Sequence, residues 1–250
     1  MPRWIESKAF VLHSRPLGER DKLCSFFTHR EGKIRAVAKG ARRLQSRFGA
    51  SLEPLSEVHL WYGEREGREL VTLRQCELIE SIFDVGGTPE GEELIHHMVE
   101  LVDEFCPPHQ PNDKVYRLLR AALSCLRTLR GRQAELLRLY FDVWMLRLSG
   151  FFPSVDRCAE CGGRISREEP VFLGLEGRPE CAACQSAGRG IILSPLMRRD
   201  LRALLSEPPE RWIARTGMEI WVSQFMSFLR RFISVVLEKE LNTERFRGFS

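Results

Sequence analysis

Lys33-Ile-Arg-Ala-Val-Ala-Lys-Gly-Ala-Arg-Arg43 has the pattern of a β-strand that ends in a basic loop. In its first half, alternation places Lys33 and Arg35 on one face of the strand and the apolar residues on the other. In its second half, Gly40 lets the backbone come close to a phosphate, and the long cations on either side can reach further phosphates. The stretch therefore predicts one strand of a small β domain and a contact with a polyanion at its end.

Short apolar runs separated by turn residues extend on both sides of this stretch, from Lys8 to about Ile79. Such runs are typical of strands. The predicted strands are Ala9–His13, Leu23–Thr28, Lys33–Ala38, Val58–Tyr62 and Leu70–Leu78. Five short strands predict a barrel, and a five-stranded, partly open barrel of this size is the OB fold, which commonly binds oligonucleotides across one face. The pattern alone leaves an SH3-like barrel open.

The positive charge of the chain is concentrated in the same region. The first fifty residues carry twelve Lys and Arg against four Asp and Glu, although the whole chain of 250 residues has a net charge of only +4. A local basic field around a small folded unit is typical of a protein that binds a polyanion, most often nucleic acid. Because these side chains suit phosphates rather than base edges, we expect binding that is independent of sequence and weakens as salt rises.

The hydrophobic period changes after about residue 80. Apolar residues recur at helical spacing from Leu94 to Phe105, which predicts a helix. Further helices are predicted over Asp113–Leu129 with Asn112 as N-cap, over Gln133–Leu148, from Ser194-Pro195 onward, and over residues 218–241. The predicted class is therefore α+β, with an OB-fold domain over residues 1–80 and a helical domain over residues 81–250.

Two C-x-x-C pairs stand in the helical part, Cys158-Ala-Glu-Cys161 and Cys181-Ala-Ala-Cys184, with nineteen residues between them. Each pair can place two thiolates on one side of an ion, and two pairs complete a tetrahedral zinc site that keeps no open position. We therefore predict one structural zinc ion in a ribbon inserted over residues 153–190, because this segment has too few apolar residues for a core of its own. Reduced, metal-free cysteines and a redox dithiol remain alternatives.

Composition narrows the class of protein further. The other four cysteines stand singly in apolar surroundings, so a disulfide framework is not expected. No apolar run approaches the roughly 18 residues that a membrane-spanning helix needs, and the first residues lack the apolar core of a signal peptide. We expect a soluble cytoplasmic protein with no membrane partner and no small-molecule substrate.

Five segments of the first domain form a recognisable series. They are Lys8-Ala-Phe-Val-Leu12, Arg15-Pro-Leu-Gly-Glu-Arg-Asp-Lys-Leu23, Thr28 with Gly32-Lys33-Ile34, Ala38-Lys-Gly-Ala-Arg-Arg43, and Leu52-Glu-Pro54. This series resembles the opening of the RecO recombination mediators, a family of DNA repair proteins. The order of the later parts is similar as well, since an OB domain, a helical domain and a four-cysteine ribbon follow one another. The resemblance is specific over about residues 8–80 and architectural over the rest.

The resemblance implies a function in DNA repair by the RecF pathway. Members of the family bind single- and double-stranded DNA and anneal complementary strands. They associate with RecR, recognise the C-terminal tail of single-strand binding protein (SSB), and help RecA load onto SSB-coated DNA. The resemblance implies no cofactor beyond zinc and no catalytic step, and it places the protein in the cytoplasm, with the nucleoid.

The family motif carries DNA contact over to three residues of the basic loop, Lys39, Arg42 and Arg43. Predicted neighbours in this interface are Arg15, Arg20, Lys22, Lys33, Arg35 and Arg47. The turn at residues 18–21 holds two acids and one base, so a salt-bridged turn that shapes the barrel is its alternative interpretation. Candidates for holding the acidic SSB tail are Arg127, Arg130, Arg132 and Arg138, although basic residues on a helix more often form its solvated face.

Two other classes of function remain as alternatives. A nucleic-acid-processing metal enzyme is suggested by His96, His97 and His109, which lie near acidic residues. Adjacent histidines point to different sides of a helix, however, and the H-E-x-x-H, P-loop, nucleophile-elbow and deaminase P-C-x-x-C patterns are all missing from the sequence. We therefore do not expect an enzyme. The second alternative is an RNA-binding or translation-associated protein, because OB barrels and zinc ribbons are frequent in that class.

Overall fold

Two compact units make up the chain in this computed structural model, Met1–Arg127 and Thr128–Ser250. The structure describes residues 3–64, 67, 69–82, 88–129, 131–185, 188–215 and 219–245. The first unit contains the β domain and two helices, and the second contains the cysteine segment and the remaining helices. The boundary between the units thus lies after residue 80, where the last strand of the β domain ends. Residue 80 remains our prediction for the end of the OB domain itself.

Five strands of the first unit close into a barrel. They are β1 (Arg3–Leu17), β2 (Asp21–Thr28), β3 (Gly32–Ala38), β4 (Glu57–Glu64) and β5 (Leu70–Glu80). Their order around the barrel is β1-β2-β3-β5-β4, and the β3–β5 pair is parallel while all the others are antiparallel. A parallel pair needs a crossover connection rather than a hairpin, and the long segment between β3 and β4 makes that crossover possible. This closed five-stranded topology confirms the OB prediction.

The barrel core follows from the period of two along each strand. In β3, for example, Ile34, Ala36 and Ala38 are buried, whereas Arg35 between them is exposed. The first strand is much longer than the sequence predicts, because it pairs with β2 along one edge and with β4 along the other. A register shift between Val11 and His13 lets it bend around the barrel. Pairing with two neighbours thus extends the strand through polar residues that have no strand pattern of their own.

Two helices complete the first unit, α1 (Pro89–Phe105) and α2 (Asp113–Leu126). The predicted N-cap is present, since Asn112 accepts a hydrogen bond from the backbone N–H of Val115 at 3.2 Å. Tyr116 of α2 joins the helix to the barrel. Its hydroxyl donates to the buried carboxylate of Glu57 at 3.0 Å, and its ring lies 4.8 Å from that of Phe10. Both contacts fasten α2 to the barrel and explain why the compact unit extends past the last strand.

The second unit begins with α3 (Gln133–Leu148), whose bounds are the predicted ones. A small sheet follows in the order β7-β6-β8, made of β6 (Val171–Gly174), β7 (Pro179–Glu180) and β8 (Gly190–Leu193). The remaining helices are α4 (Pro195–Leu204), α5 (Pro209–Ile213), α6 (Glu219–Leu237) and α7 (Asn242–Arg245). The predicted cap at Ser194 is present, because its side chain accepts from the backbone N–H of Met197 at 3.3 Å. Among the described helices, none is long and apolar enough to cross a membrane.

The last long helix ends four residues earlier than predicted. Glu238, directly after α6, has a φ of 56°, a left-handed conformation that ends the helix. Along the buried face of α6, the rings of Phe225, Phe228 and Phe232 stack with centroids 5.9 and 5.7 Å apart. These rings account for the strongly apolar pattern of this helix.

Candidate nucleic-acid interface and metal centre

The two C-x-x-C pairs converge on one point. The Sγ atoms of Cys158, Cys161, Cys181 and Cys184 all lie within 4.8 Å of one another. Four sulfur ligands around a tetrahedral ion would stand at a comparable spacing, because each metal–sulfur bond is about 2.3 Å long. The four cysteines are therefore able to bind one metal ion, as the spacing predicts.

Hydrogen bonds within the cluster shift the pKa values of two of these thiols in opposite directions. Backbone N–H groups of Cys161 and Cys181 point at the sulfur of Cys158 and lower the pKa of that thiol to about 6. The N–H of Cys181 lies 3.4 Å from this sulfur. At the opposite extreme, hydrogen bonds with the side chains of Cys181 and Cys161 raise the pKa of Cys184 to about 12. Without a metal, the cluster therefore keeps a proton on Cys184 that a bound cation would displace.

No other group in the described part of the chain resembles a metal site. The remaining cysteines are buried and form no disulfide; they are Cys24, Cys76, Cys106 and Cys125. Burial raises the pKa of Cys76 and of Cys106 to about 11, so neither is a ready thiolate. Among the described residues, the four-cysteine cluster is the one group of three or more ligand-type side chains, so the histidines of residues 96–109 form no metal centre there.

The basic loop after β3 is attached to the turn between β1 and β2. The backbone N–H of Gly40 donates to the carboxylate of Asp21 at 2.8 Å, and the guanidinium of Arg42 donates to the carbonyl of Gly18 at 2.5 Å. The backbone N–H of Arg42 also donates to the carbonyl of Arg20 at 3.0 Å. The carboxylate of Asp21 thus holds the loop in place. This contact supports the interpretation that residues 18–21 shape the barrel. Gly40 has a φ of 72°, so the loop needs glycine there.

Most of the predicted DNA-contact residues are exposed around this loop. Exposed side chains are Lys39, Arg42, Arg43, Arg47, Arg15, Arg20 and Arg35. Within the described residues, none of them lies at ion-pair distance from an acid. The guanidinium of Arg47 lies 4.9 Å from the ring centroid of Phe48, which is buried in the barrel core. The structure therefore brings onto the barrel seven cations that have no acidic partner among the described residues, as a phosphate-binding surface requires.

Lys33 differs from this expectation. Its side chain is only 15% exposed, and its ammonium donates to the backbone carbonyl of Asp103 at 2.5 Å and lies 3.2 Å from the carboxylate of the same residue. The carboxylate also accepts a short hydrogen bond from His13. Burial alone would raise the pKa of Asp103, but the hydrogen bond with His13 and the charge of Lys33 outweigh it and hold that pKa below its usual value. Lys33 therefore fastens α1 to the barrel and is not a free cation.

A cavity of about 430 Å³ lies beside this charge cluster, within the first unit. Its described lining comes from β1, β2, β3, the residue before β5, the end of α1 and the segment that follows α1. The lining residues are His13, Arg15, Leu23, Cys24, Ser25, Lys33, Arg35, Glu69, Asp103, Pro108 and His109. The sequence predicted the three basic side chains from β1 and β3 as DNA contacts, considered His109 only as a candidate metal ligand, and gave no sign that Ser25 and Asp103 share a site with them. These residues come from distant parts of the chain, so no local motif joins them.

Three of the arginines proposed to hold an acidic tail are described, and they differ in exposure: Arg132 is exposed, Arg127 is half-buried and Arg138 is buried. Arg138 is buried and forms ion pairs with Asp142 and Glu244. Arg127 donates to the carbonyl of Ser81 at 2.5 Å and lies 3.1 Å from the carboxylate of Glu80. Arg132 lies 3.9 Å from Glu135, and Arg130 lies outside the described residues. The solvated-face interpretation is thus wrong for Arg138, whose charge is neutralised inside the second unit.

Comparison with known proteins adds an independent result. The family models for the N terminal and the C terminal of recombination protein O match residues 1–82 and residues 94–245. The chain is 33% identical to DNA repair protein RecO of Koribacter versatilis over 239 residues, covering 94% of this chain and 93% of the relative. It is 33% identical to the protein of the same name from Syntrophotalea carbinolica, covering 81% and 78%, and 29% identical to that from Pelotomaculum thermopropionicum, covering 96% and 92%. With an OB barrel, a four-cysteine cluster and these matches along both units, the chain belongs to the RecO family of DNA repair proteins.

Proposed function

We propose that this protein is a recombination mediator of the RecF pathway that binds single- and double-stranded DNA through its barrel, without sequence specificity. The observation that carries the proposal is the set of exposed cations, on the barrel and in the loop at residues 39–43, for which the described part of the chain offers no acidic partner. A loop of this kind tracks phosphates, which every sequence offers alike. The resemblance of the loop to that of RecO mediators supports the same assignment.

Strand annealing is the second part of the proposal. Two complementary strands repel each other through their phosphates, and a surface that neutralises phosphates lowers this repulsion while base pairing supplies the specificity. On SSB-coated DNA we propose that the protein recognises the SSB tail, acts with RecR and helps RecA load. These partners come from family membership, and the protein would meet them in the cytoplasm, at the nucleoid.

The experiment that tests the proposal is annealing of complementary strands precoated with SSB. Lys39→Ala combined with Arg43→Ala should slow annealing, and it should reduce the slope of log affinity against log salt by about one to two units. The matched control is Arg211→Ala combined with Arg231→Ala, which removes two exposed arginines of the second unit. An unchanged salt slope in the loop variant would show that the DNA interface lies elsewhere, and tighter binding to RNA than to DNA of equal length would favour the RNA-binding alternative.

For the metal, we propose one structural zinc ion held by Cys158, Cys161, Cys181 and Cys184. Four converging thiols leave no position open for a substrate or water, so such an ion would stabilise the ribbon rather than catalyse a reaction. We also propose that the protein makes and breaks no covalent bond. Metal analysis of the purified protein should find one zinc per chain, and chelation should make residues 155–190 sensitive to protease while the barrel stays resistant.

A further inference from the structure

We propose that the cavity of about 430 Å³ in the first unit receives one unpaired nucleotide of a DNA strand, and that it thereby distinguishes single strands from duplex. The inference rests on the proposed DNA-binding function and adds a specificity site to it. The volume falls within the range of sites that enclose a small ligand. It is a site of a different kind from the exposed basic loop, because it is concave and has both apolar and polar walls.

One buried polar atom in the cavity lining, the hydroxyl oxygen of Ser25, has no hydrogen-bond partner among the described residues. Its strand neighbours Cys24 and Phe26 point into the barrel core, so Ser25 lies on the outer face of β2. A buried hydroxyl without a partner costs free energy, which a bound group that donates or accepts a hydrogen bond would recover. The polar edge of a nucleobase is such a group.

Besides Glu69, an exposed acid that also lines the cavity, the charges around the cavity separate into two sets. His13 and Lys33 are both bound to Asp103, so their charges are already compensated. In contrast, Arg15 and Arg35 are exposed, line the cavity and have no acidic partner among the described residues. A nucleotide fits this arrangement, because the guanidinium groups of Arg15 and Arg35 can bind its phosphate while the hydroxyl of Ser25 forms a hydrogen bond with its base.

The segment after α1 supplies two residues of the cavity lining, Pro108 and His109. The backbone N–H of His109 donates to the carbonyl of Lys33 at 3.0 Å, and His109 itself has a φ of 57°, which is unusual for a residue other than glycine. A base in a duplex is paired and stacked, and taking it out of the stack costs a few kcal/mol. An unpaired strand avoids that cost, so the cavity selects for it.

Ser25→Ala gives the sharpest test. The variant removes a buried hydroxyl that has no partner, so the melting temperature should stay the same or rise. Affinity for a twelve-residue thymidine oligonucleotide should fall by about 3- to 10-fold, the value of one hydrogen bond. Affinity for duplex DNA of the same length, and for an oligonucleotide whose twelve residues are all abasic, should not change. Loss on all three ligands, or on none, would overturn the proposal.

Arg15→Ala combined with Arg35→Ala supplies a second measurement that does not depend on Ser25. It should reduce the affinity for the thymidine oligonucleotide by a larger factor than the affinity for duplex DNA, and it should reduce the salt slope for the oligonucleotide by about 0.7 units, the value of one phosphate. An equal reduction on both ligands would overturn the selective role while leaving the DNA-binding proposal intact, because the variants at Lys39 and Arg43 test the latter separately. Thymidine monophosphate should compete with the oligonucleotide only weakly. Competition at equal affinity would overturn the assignment to a strand and identify a free nucleotide as the ligand.

Discussion

Arg198 donates a hydrogen bond at 3.1 Å to the backbone carbonyl of Val155, which lies 43 residues earlier in the chain. The guanidinium of Arg198 is fully buried, and it also donates to the carbonyls of Ser166 and Glu169. One side chain of α4 thus donates hydrogen bonds to backbone carbonyls that lie before and after the first C-x-x-C pair in the chain. The ribbon is therefore held to the helices of the second unit by the protein itself, in addition to any metal.

Removal of this guanidinium should destabilise the second unit. Arg198→Met would leave several buried carbonyls without a donor, and we expect a loss on the order of 3 kcal/mol in the free energy of unfolding. Residues 155–170 should also become sensitive to protease even when zinc is present. Arg202→Met is the matched control, because Arg202 binds Asp156 from a more exposed position and should cost less than about 1 kcal/mol. Equal losses in the two variants would contradict this role of Arg198.

Metal affinity should decrease as pH falls. Protons compete with the metal for thiolates, and Cys184 in particular must release a proton because its pKa is raised to about 12. Cys158, with a pKa of about 6, gives no such competition until the pH falls below that value, so the dependence should become steeper there. A competing chromophoric chelator measured from about pH 8 to about pH 5 would show the two regimes. Cys158→Ser should lose the metal, whereas Cys125→Ala, at a buried single cysteine, should retain it.

Two substitutions at Asp21 should have opposite effects on DNA binding. Asp21→Asn keeps an oxygen that can accept from the N–H of Gly40 and removes a negative charge near the basic loop, so affinity should rise about twofold. Asp21→Ala removes the acceptor as well, and the loop loses its anchor, so affinity should fall by about threefold. Filter binding to a duplex at fixed salt would measure both. If both variants bound more tightly, charge alone would be important and the anchor would not.

Gly32 should be among the least replaceable residues of the barrel. A Cβ at this position would lie 2.2 Å from the backbone oxygen of Gln110, and the φ of Gly32 is 68°. Gly32→Ala should therefore cost more than about 3 kcal/mol, because strain and a clash with backbone add together. Gly18→Ala is the control, since Gly18 has a φ of 62° but nothing within 4 Å, and strain alone should cost about 1 kcal/mol. Chemical denaturation of the full chain would compare them, and equal costs would contradict the close approach of residue 110.

Local sequence patterns predicted most of the elements because their causes are local. Alternation identified the five strands, side-chain caps identified the helix starts at Asn112 and Ser194, and spacing identified the four cysteines. Patterns failed where pairing with distant strands extended an element, as in β1. They also failed where a basic residue became part of an internal network, as at Lys33 and Arg138.

The sequence by itself determined a basic OB barrel, a helical second part and a convergent four-cysteine site, because period, capping and ligand spacing act over a few residues. Only the tertiary structure decided which cations stay free. Lys33 and Arg35 stand two residues apart on one strand face, yet the first is bound to Asp103, seventy residues further along, and the second is exposed at the cavity. Whether a charge reaches a phosphate depends on the residues that pack against it, and distant segments supply those residues when the chain folds.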